Sequence, residues 1–303
     1  MPQAGDSCAS GDGASTAAPA SEPLPGWGDG ASPAPSARDQ PLAPVTSPLP
    51  PAAPSLDQPP GPLGQAPSLV GKASSLPVVE TFHSLQGEGL HAGRSAFFIR
   101  LAGCAVGCPW CDTKHSWPAG AHGMFSLEEL AAAAGQAAAE GAAFAVLTGG
   151  EPLHHDLSGL CAQIRATSTA PERPLGLPLH LETSGVDPLS GRFDWITLSP
   201  KRHRPPTPQL LAACDELKLV VHEPADLAFA EAMAERARQL RSPASPVGTA
   251  DAAVGWRGSA AGPALLLQPG WNCRRGQELA IAFVRSHPAW RLSLQSHKWL
   301  GVR

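Results

Sequence analysis

The chain lacks the features that direct a protein into a membrane or out of the cytoplasm. Its first residues, Met1-Pro-Gln-Ala-Gly-Asp6, contain neither the basic nor the apolar segment of a secretory signal peptide. No apolar run is long enough to span a bilayer. The formal net charge is −4 and no basic stripe indicates nucleic-acid binding. These absences predict a cytoplasmic protein that binds neither membranes nor nucleic acid.

Charged and aliphatic residues are also sparse over residues 1–76, where alanine, proline, serine and glycine dominate. Such a segment cannot bury enough apolar surface to offset the entropy lost on ordering. We therefore predict a disordered amino-terminal arm over 1–76 and a catalytic domain over 77–303. Residues 242–262 return to the same composition and are predicted to be a disordered surface insertion.

Three of the seven cysteines lie in one short segment, Cys104-Ala-Val-Gly-Cys108-Pro-Trp-Cys111. A structural zinc site takes four protein ligands, and His115 would complete one with these thiolates. Thiolates also hold iron–sulfur clusters, and a 4Fe–4S cluster with three cysteine ligands leaves one iron open. The strand-like run at 96–101 favours the cluster, because β/α barrels carry their sites on the loops after their strands.

The remaining cysteines have different surroundings. With no export signal, thiols are expected to serve a metal or catalysis rather than disulfides. Cys161 and Cys214 have apolar neighbours and are predicted core residues, whereas Cys8 lies in the predicted arm. Cys273 stands beside a candidate site motif, and the sequence leaves its role open.

Strand-like and helix-like segments alternate from residue 77 onward. Strands are predicted at 78–83, 96–101, 144–148, 180–183, 195–199, 216–221 and 265–269, and residues 291–298 alternate as a further strand would. Helices are predicted after the capping box 126–129 and at 157–166, 224–240 and 277–285. This order predicts an α/β fold with a mostly parallel sheet and right-handed crossovers.

Polar and glycine-rich segments adjoin several strands. The glycines of Ser84-Leu-Gln-Gly-Glu-Gly89 form either a plain hairpin turn or a close backbone approach to a ligand. Arg100 is either a salt-bridge residue or a bidentate partner for a substrate carboxylate. Gly149-Gly150-Glu151-Pro152 ends a strand and is either a β-turn or a ligand-binding loop.

The spacing C-x3-C-x2-C resembles that of the radical S-adenosylmethionine (SAM) enzymes. In order, the segments SLQGEG, CAVGCPWCDT, TGGEP, ETSG, SPK, ELKLVV, LLLQP and RLSLQSHKWLG resemble the 7-carboxy-7-deazaguanine synthase family of queuosine and deazapurine biosynthesis. They cover residues 78–303 apart from the predicted insertion. Residues 1–76 have no counterpart in this resemblance.

The resemblance implies a shortened radical SAM β/α barrel that forms a homodimer. It implies a carbon–nitrogen lyase that converts 6-carboxy-5,6,7,8-tetrahydropterin to 7-carboxy-7-deazaguanine with loss of ammonia. Its cofactors would be a 4Fe–4S cluster, recycled SAM and Mg²⁺, with electrons from a donor such as flavodoxin or ferredoxin.

The resemblance also implies roles for individual residues. The cluster ligands would be Cys104, Cys108 and Cys111, and the magnesium ligand would be Thr113. The substrate contacts would be Leu85, Gln86, Gly87, Arg100, Thr148 and Arg303. The SAM contacts would be Trp110, Cys111, Asp112, Gly150, Ser199, Pro200, Lys201, Gln268, Pro269, Gly270 and Trp271.

The resemblance is incomplete at Gly270 and Trp271, which are unusual residues for the SAM-contacting stretch after Gln268-Pro269. Two alternatives also remain from the residues alone. One is a radical SAM activase that generates a glycyl radical on a partner protein, which would not need SLQGEG or QSHK. The other is a non-catalytic zinc protein.

Overall fold

The computed structural model describes residues 74–241 and 262–302. The predictions for residues 1–73, 242–261 and Arg303 lie outside these residues. Leu76, assigned to the arm from the sequence, lies in the first strand and is buried. Strand β1 therefore begins within the segment that the sequence assigns to the arm.

The described residues form one nine-stranded sheet with the order β3-β1-β2-β4-β5-β6-β7-β8-β9. β1 runs antiparallel to both β2 and β3, and every other neighbouring pair is parallel. The predicted α/β fold with a mostly parallel sheet is confirmed. The strands are β1 (Ser75–Leu85), β2 (Ser95–Leu101), β3 (Gly123–Ser126), β4 (Phe144–Gly149), β5 (Leu179–Thr183), β6 (Trp195–Leu198), β7 (Glu216–Val221), β8 (Ala264–Pro269) and β9 (Trp290–Leu292).

Five helices connect most of the parallel strands, and a sixth follows the last strand. The connecting helices are α1 (Leu127–Ala139), α2 (Ser158–Thr167), α3 (Pro208–Ala213), α4 (Pro224–Leu240) and α5 (Arg274–Ser286), and the last helix is α6 (Ser296–Leu300). The predicted capping box is present at α1, where Ser126 Oγ accepts from the Glu129 amide and the Glu129 carboxylate accepts from the Ser126 amide. None of the helices in the described ranges is long and apolar enough to cross a membrane.

Alternation along the strands separates the core from the site. The main core contains Leu147, Leu181, Leu217 and Leu267 together with apolar residues of α1 to α5. The next residue in each of these four strands lines a cavity; these residues are Thr148, Glu182, Lys218 and Gln268. Because successive side chains of a strand point to opposite faces, the same strands build both the core and the site.

The predicted extended run over residues 291–298 is wrong beyond Leu292. β9 ends there, and α6 begins at Ser296. Leu294 is exposed, whereas Ser293 is buried and donates to Gln268 Oε1 at 2.8 Å. The hydrogen bond of Ser293 therefore decides which side chain is buried here, and the alternation of apolar residues does not. Cys161 and Cys214 are buried in the core as predicted.

Candidate active site

Two adjoining cavities lie at the carboxyl ends of the parallel strands. One has a volume of about 360 Å³ and is lined by Cys104, Cys108 and Cys111; we call it the cysteine cavity. The other has a volume of about 450 Å³ and includes Arg100; we call it the arginine cavity. Their shared wall is formed by Glu88, Asp112, Thr148, Gly149, Glu182 and Gln295. Ligands bound in both cavities would therefore be neighbours.

The three predicted cluster thiols all reach the cysteine cavity. Burial raises the pKa of the Cys104 and Cys108 thiols, so a cationic partner is needed to hold them as thiolates at neutral pH. His115 is exposed and does not line the cavity. In the described ranges no three His, Cys, Asp or Glu groups are placed to hold one metal ion. The arrangement therefore suits a cluster, whose thiolates bind separate irons, better than a Cys3His zinc site.

The glycines after β4 hold the chain against the cysteine loop. A Cβ at Gly150 would lie 2.3 Å from the Gly103 carbonyl oxygen, so only glycine fits there. The Gly150 amide donates to Leu101 and the Glu151 amide to Gly103, both at 2.9 Å. These contacts fix Gly150 beside Cys104 in the cavity wall.

Glu151 of the same motif is a structural residue. Its buried carboxylate accepts from the Leu153 amide at 3.2 Å, from Thr183 Oγ1 at 2.5 Å and from the Ser184 amide at 2.8 Å. Because its oxygens are occupied in this way, Glu151 joins the ends of β4 and β5.

The predicted SAM residues at the ends of β6 and β8 also line the cysteine cavity, except for Pro200. Ser199 and Lys201 line it, and Lys201 Nζ donates to Ser199 Oγ at 2.8 Å. Burial lowers the pKa of Lys201. Pro200 is buried and does not line the cavity.

The structure gives a physical reason for the unusual Gly270. A Cβ there would lie 2.2 Å from Nε2 of His222, which also contacts the Trp110 ring at a centroid distance of 5.0 Å. Gly270 therefore makes room for a ring that covers the cavity. Gln268, Pro269 and Trp271 line the cavity with it.

The predicted substrate residues line the arginine cavity. They are Leu85, Gln86, Gly87, Arg100 and Thr148, joined by the predicted magnesium ligand Thr113. Arg100 Nε donates to Glu80 Oε1 at 3.0 Å, so the salt-bridge interpretation holds. This ion pair uses only Nε of Arg100. The two terminal guanidinium nitrogens are not part of it, so the geometry also fits the carboxylate-binding interpretation.

Glu182 connects two of these residues and was not singled out from the sequence. One carboxylate oxygen accepts from Gln86 Nε2 at 2.9 Å, and the other accepts from Thr148 Oγ1 at 3.0 Å. From its place in the shared wall, Glu182 thereby fixes the orientation of both side chains. A charged residue directly after a buried leucine in a parallel strand was the available signal.

Glu88 and Lys218 form a buried ion pair that also was not singled out. Gln295 Nε2 donates to the other Glu88 oxygen at 2.9 Å. Burial alone would raise the pKa of Glu88, but the Lys218 charge and the hydrogen bonds from Lys218, Gln295 and Gln268 outweigh it and lower this pKa to about 2. Burial opposes the charge of Lys218, yet Glu88, Glu182 and Glu216 raise its pKa. Both groups are therefore charged at neutral pH.

The carboxyl-terminal helix closes against these loops. The amide and hydroxyl of Ser296 both donate to the Gly87 carbonyl oxygen at 2.9 Å. Lys298 Nζ donates to Asp112 at 2.5 Å. The predicted contact of Arg303 lies outside the described residues.

Comparison with known proteins agrees with this geometry. The profile of the Radical SAM superfamily matches residues 98–200. The 7-carboxy-7-deazaguanine synthase of Prochlorococcus marinus is 53% identical over 230 residues, which are 76% of this chain and 99% of the relative. The synthase of Synechocystis sp. is 44% identical over 76% of this chain and 94% of the relative.

A solved structure, the crystal structure of QueE from Escherichia coli, is also similar. Its TM-score is 0.56 at 29% identity, with coverage of 74% of this chain and 95% of that one. The chain thus spans nearly the whole length of these relatives. It belongs to the 7-carboxy-7-deazaguanine synthase family of the radical SAM superfamily.

Proposed function

We propose that this protein is a radical SAM lyase that converts 6-carboxy-5,6,7,8-tetrahydropterin to 7-carboxy-7-deazaguanine with loss of ammonia. The observation that carries the proposal is the pair of adjoining cavities. One presents three thiols and the other presents Arg100, with Thr148 and Glu182 between them. The activase alternative is not favoured, because the chain matches synthases along 94% to 99% of their length.

The residues present fit a 4Fe–4S cluster and SAM in the cysteine cavity. Cys104, Cys108 and Cys111 would hold three irons and leave one for SAM. Gly150, Ser199 and Lys201 would contact SAM. When bound, this pair supplies one-electron radical chemistry, while the protein supplies binding, orientation and exclusion of water.

The arginine cavity would hold the pterin. The guanidinium of Arg100 matches a carboxylate bidentately through its terminal nitrogens. Gln86 and Thr148 offer side-chain hydrogen bonds, and Glu182 fixes both of them. Because these residues adjoin the cysteine cavity, the reacting carbon would lie close to bound SAM, a proximity effect.

Thr113 is the proposed magnesium ligand. It lines the arginine cavity beside Asp112, and a hydroxyl is a hard oxygen donor. An ion held by few protein ligands would keep waters and take substrate oxygens. Its role would be to orient the substrate carboxylate.

We further propose a cytoplasmic homodimer reduced by a protein such as flavodoxin or ferredoxin. A reducing compartment suits the six cysteines of the described ranges, all of which are free thiols. The homodimer is supported by exposed apolar side chains in and directly after the edge strand β9, Leu292 and Leu294. Sedimentation equilibrium tests it, and a monomer at micromolar concentration would contradict it.

The experiment is anaerobic reconstitution with iron and sulfide, followed by incubation with SAM, dithionite and 6-carboxytetrahydropterin. The expected result is iron–sulfur absorbance and a product with the mass of 7-carboxy-7-deazaguanine. Cys108→Ala should lose both, whereas the matched core variant Cys161→Ala should keep both. Bound zinc in place of iron, or no product while the cluster is intact, would overturn the proposal.

A further inference from the structure

Trp271 lies between the cysteine cavity and α6, and its ring contacts two residues of that helix. Lys298 Nζ lies 4.9 Å from the ring centroid, within the range of a cation–π contact. The Trp299 ring meets it edge-on, with centroids 6.0 Å apart and planes at 78°. Trp271, one of the two residues that are unusual for the family, thus contacts the last helix.

Helix α6 depends on such contacts for its position. It has five residues, none of them buried, and an isolated helix of this length is unstable in water. Trp299 is 78% exposed, whereas Trp271 is 43% exposed. The helix therefore has little apolar packing other than its contact with Trp271.

The same helix contacts two other loops. Ser296 donates to the Gly87 carbonyl oxygen, and a Cβ at Gly87 would lie 2.1 Å from His297 Nδ1. Lys298 donates to Asp112 of the cysteine loop. Its ammonium thus lies between a carboxylate and an aromatic face, two groups that both attract a cation.

These contacts involve both cavities. Asp112 and Trp271 line the cysteine cavity, while Gly87 and Lys298 line the arginine cavity. We propose that Trp271 and Lys298 are positioning residues that hold α6 across both cavities and thereby fix Gly87 and Asp112. We call α6 together with Trp271 the carboxyl-terminal clamp. This inference rests on the proposed function for what the two cavities bind.

The test is hydrogen exchange of the purified protein without added ligands, followed in the peptide that covers residues 293–302. Trp271→Ala should speed its exchange several-fold, because the cation–π and edge contacts to α6 are lost. Trp271→Phe keeps an aromatic face and should stay near the parent protein. Leu175→Ala removes another exposed large apolar side chain, far along the chain from the clamp, and is the matched control.

Steady-state kinetics on the reconstituted protein gives a second readout. Trp271→Ala should raise the KM for the pterin and for SAM by roughly fivefold to tenfold, the size expected for a lost cation–π contact of about 1 kcal/mol. We expect a larger effect on KM than on kcat, since the loss of fixed cavity walls weakens binding of the ground state and the transition state alike. Trp271→Phe should restore most of the affinity.

Unchanged exchange of residues 293–302 in Trp271→Ala would overturn the clamp. If Trp271→Ala does not fold, Lys298→Met is tested instead. Exchange of residues 293–302 should again become several-fold faster, and unchanged exchange would again overturn the clamp. If exchange is faster in Trp271→Ala but the parent protein makes no product, the proposed function is wrong and the clamp is still supported.

Discussion

At the scale of single residues, the site depends on charged groups that strands place beside buried leucines. The placement of Arg100 and of the three cysteines at the cavities could be predicted from the sequence, because they stand in recognisable segments; their roles as substrate and cluster ligands stay predictions. For Glu182 and Lys218 the local sequence offers only a charged residue directly after a buried leucine, which does not identify its partner. Their partners Gln86 and Glu88 are 96 and 130 residues away along the chain, so only the fold brings them together.

Glu182→Gln tests the orientation of the substrate side chains. A carboxylate accepts from both Gln86 and Thr148, whereas a glutamine offers only one acceptor oxygen and places an amide donor against the other partner. We expect kcat/KM for the pterin to fall by about tenfold to a hundredfold, since one hydrogen bond to a charged group contributes about 1.5–3 kcal/mol. Steady-state kinetics measures this, and an unchanged KM together with an unchanged kcat would contradict it. Glu140→Gln, an exposed carboxylate at the end of α1, is the matched control.

The ion pair of Glu88 and Lys218 predicts a pH dependence of stability. The pKa of Glu88 is lowered from its ordinary 4.5 to about 2 in the folded state. Its contribution is therefore fully present above about pH 4.5 and is lost as the pH falls toward 2. Glu88→Gln should lower the free energy of unfolding at pH 7 by about 3–5 kcal/mol, because the buried Lys218 ammonium loses its hydrogen-bonded anionic partner.

Urea titrations at several pH values measure this difference. The curves of the parent protein and Glu88→Gln should converge as the pH falls from 4.5 to 2. The double variant Glu88→Gln/Lys218→Met should recover part of the loss at pH 7, since it removes the uncompensated charge. A constant gap between the parent and the single variant at all pH values would exclude this account of the pair.

At the scale of elements, the longer strands and helices followed from the sequence, and the short ones did not. α4 begins and ends where predicted, at Pro224 and Leu240. β3 was missed because it has four residues and exposes Met124 and Phe125, so no buried face marks it. α6 was misread as a strand because its contacts with Gly87 come from the other end of the domain.

The capping box of α1 gives a prediction for one element. Ser126→Ala removes the acceptor of the Glu129 amide, which lies 3.1 Å from Ser126 Oγ. The free energy of unfolding should fall by about 1 kcal/mol, as is usual for loss of such a cap. Activity at 25 °C should not change, because Ser126 lines neither cavity. Urea unfolding measures the loss. Equal stability of Ser126→Ala and the parent would contradict the prediction.

At the scale of the whole molecule, the two ends of the chain have different relations to the site. The relatives match about three quarters of this chain and 94% to 99% of their own length, so about a quarter of this chain has no counterpart in the matched synthases. α6 contacts both the Gly87 loop and the cysteine loop. A bulky extension should therefore be tolerated at the amino terminus and harmful at the carboxyl terminus.

Fusing the same short tag to either end tests this difference. The carboxyl-terminal fusion should lose at least several-fold in turnover, while the amino-terminal fusion should match the untagged protein. Turnover is measured after reconstitution to equal iron content, so that cluster loss does not enter the comparison. Equal turnover of the two fusions would contradict the prediction.

The hydrogen bond between Ser296 and Gly87 joins residues 209 positions apart. Because synthesis proceeds from the amino terminus, the loop that contains Gly87 leaves the ribosome long before the segment that covers it. A nascent chain with β1 to β8 already paired would still lack the contacts that Ser296 and Lys298 make with Gly87 and Asp112. The loops that line the two cavities therefore gain these contacts only after the strands between them have been synthesised.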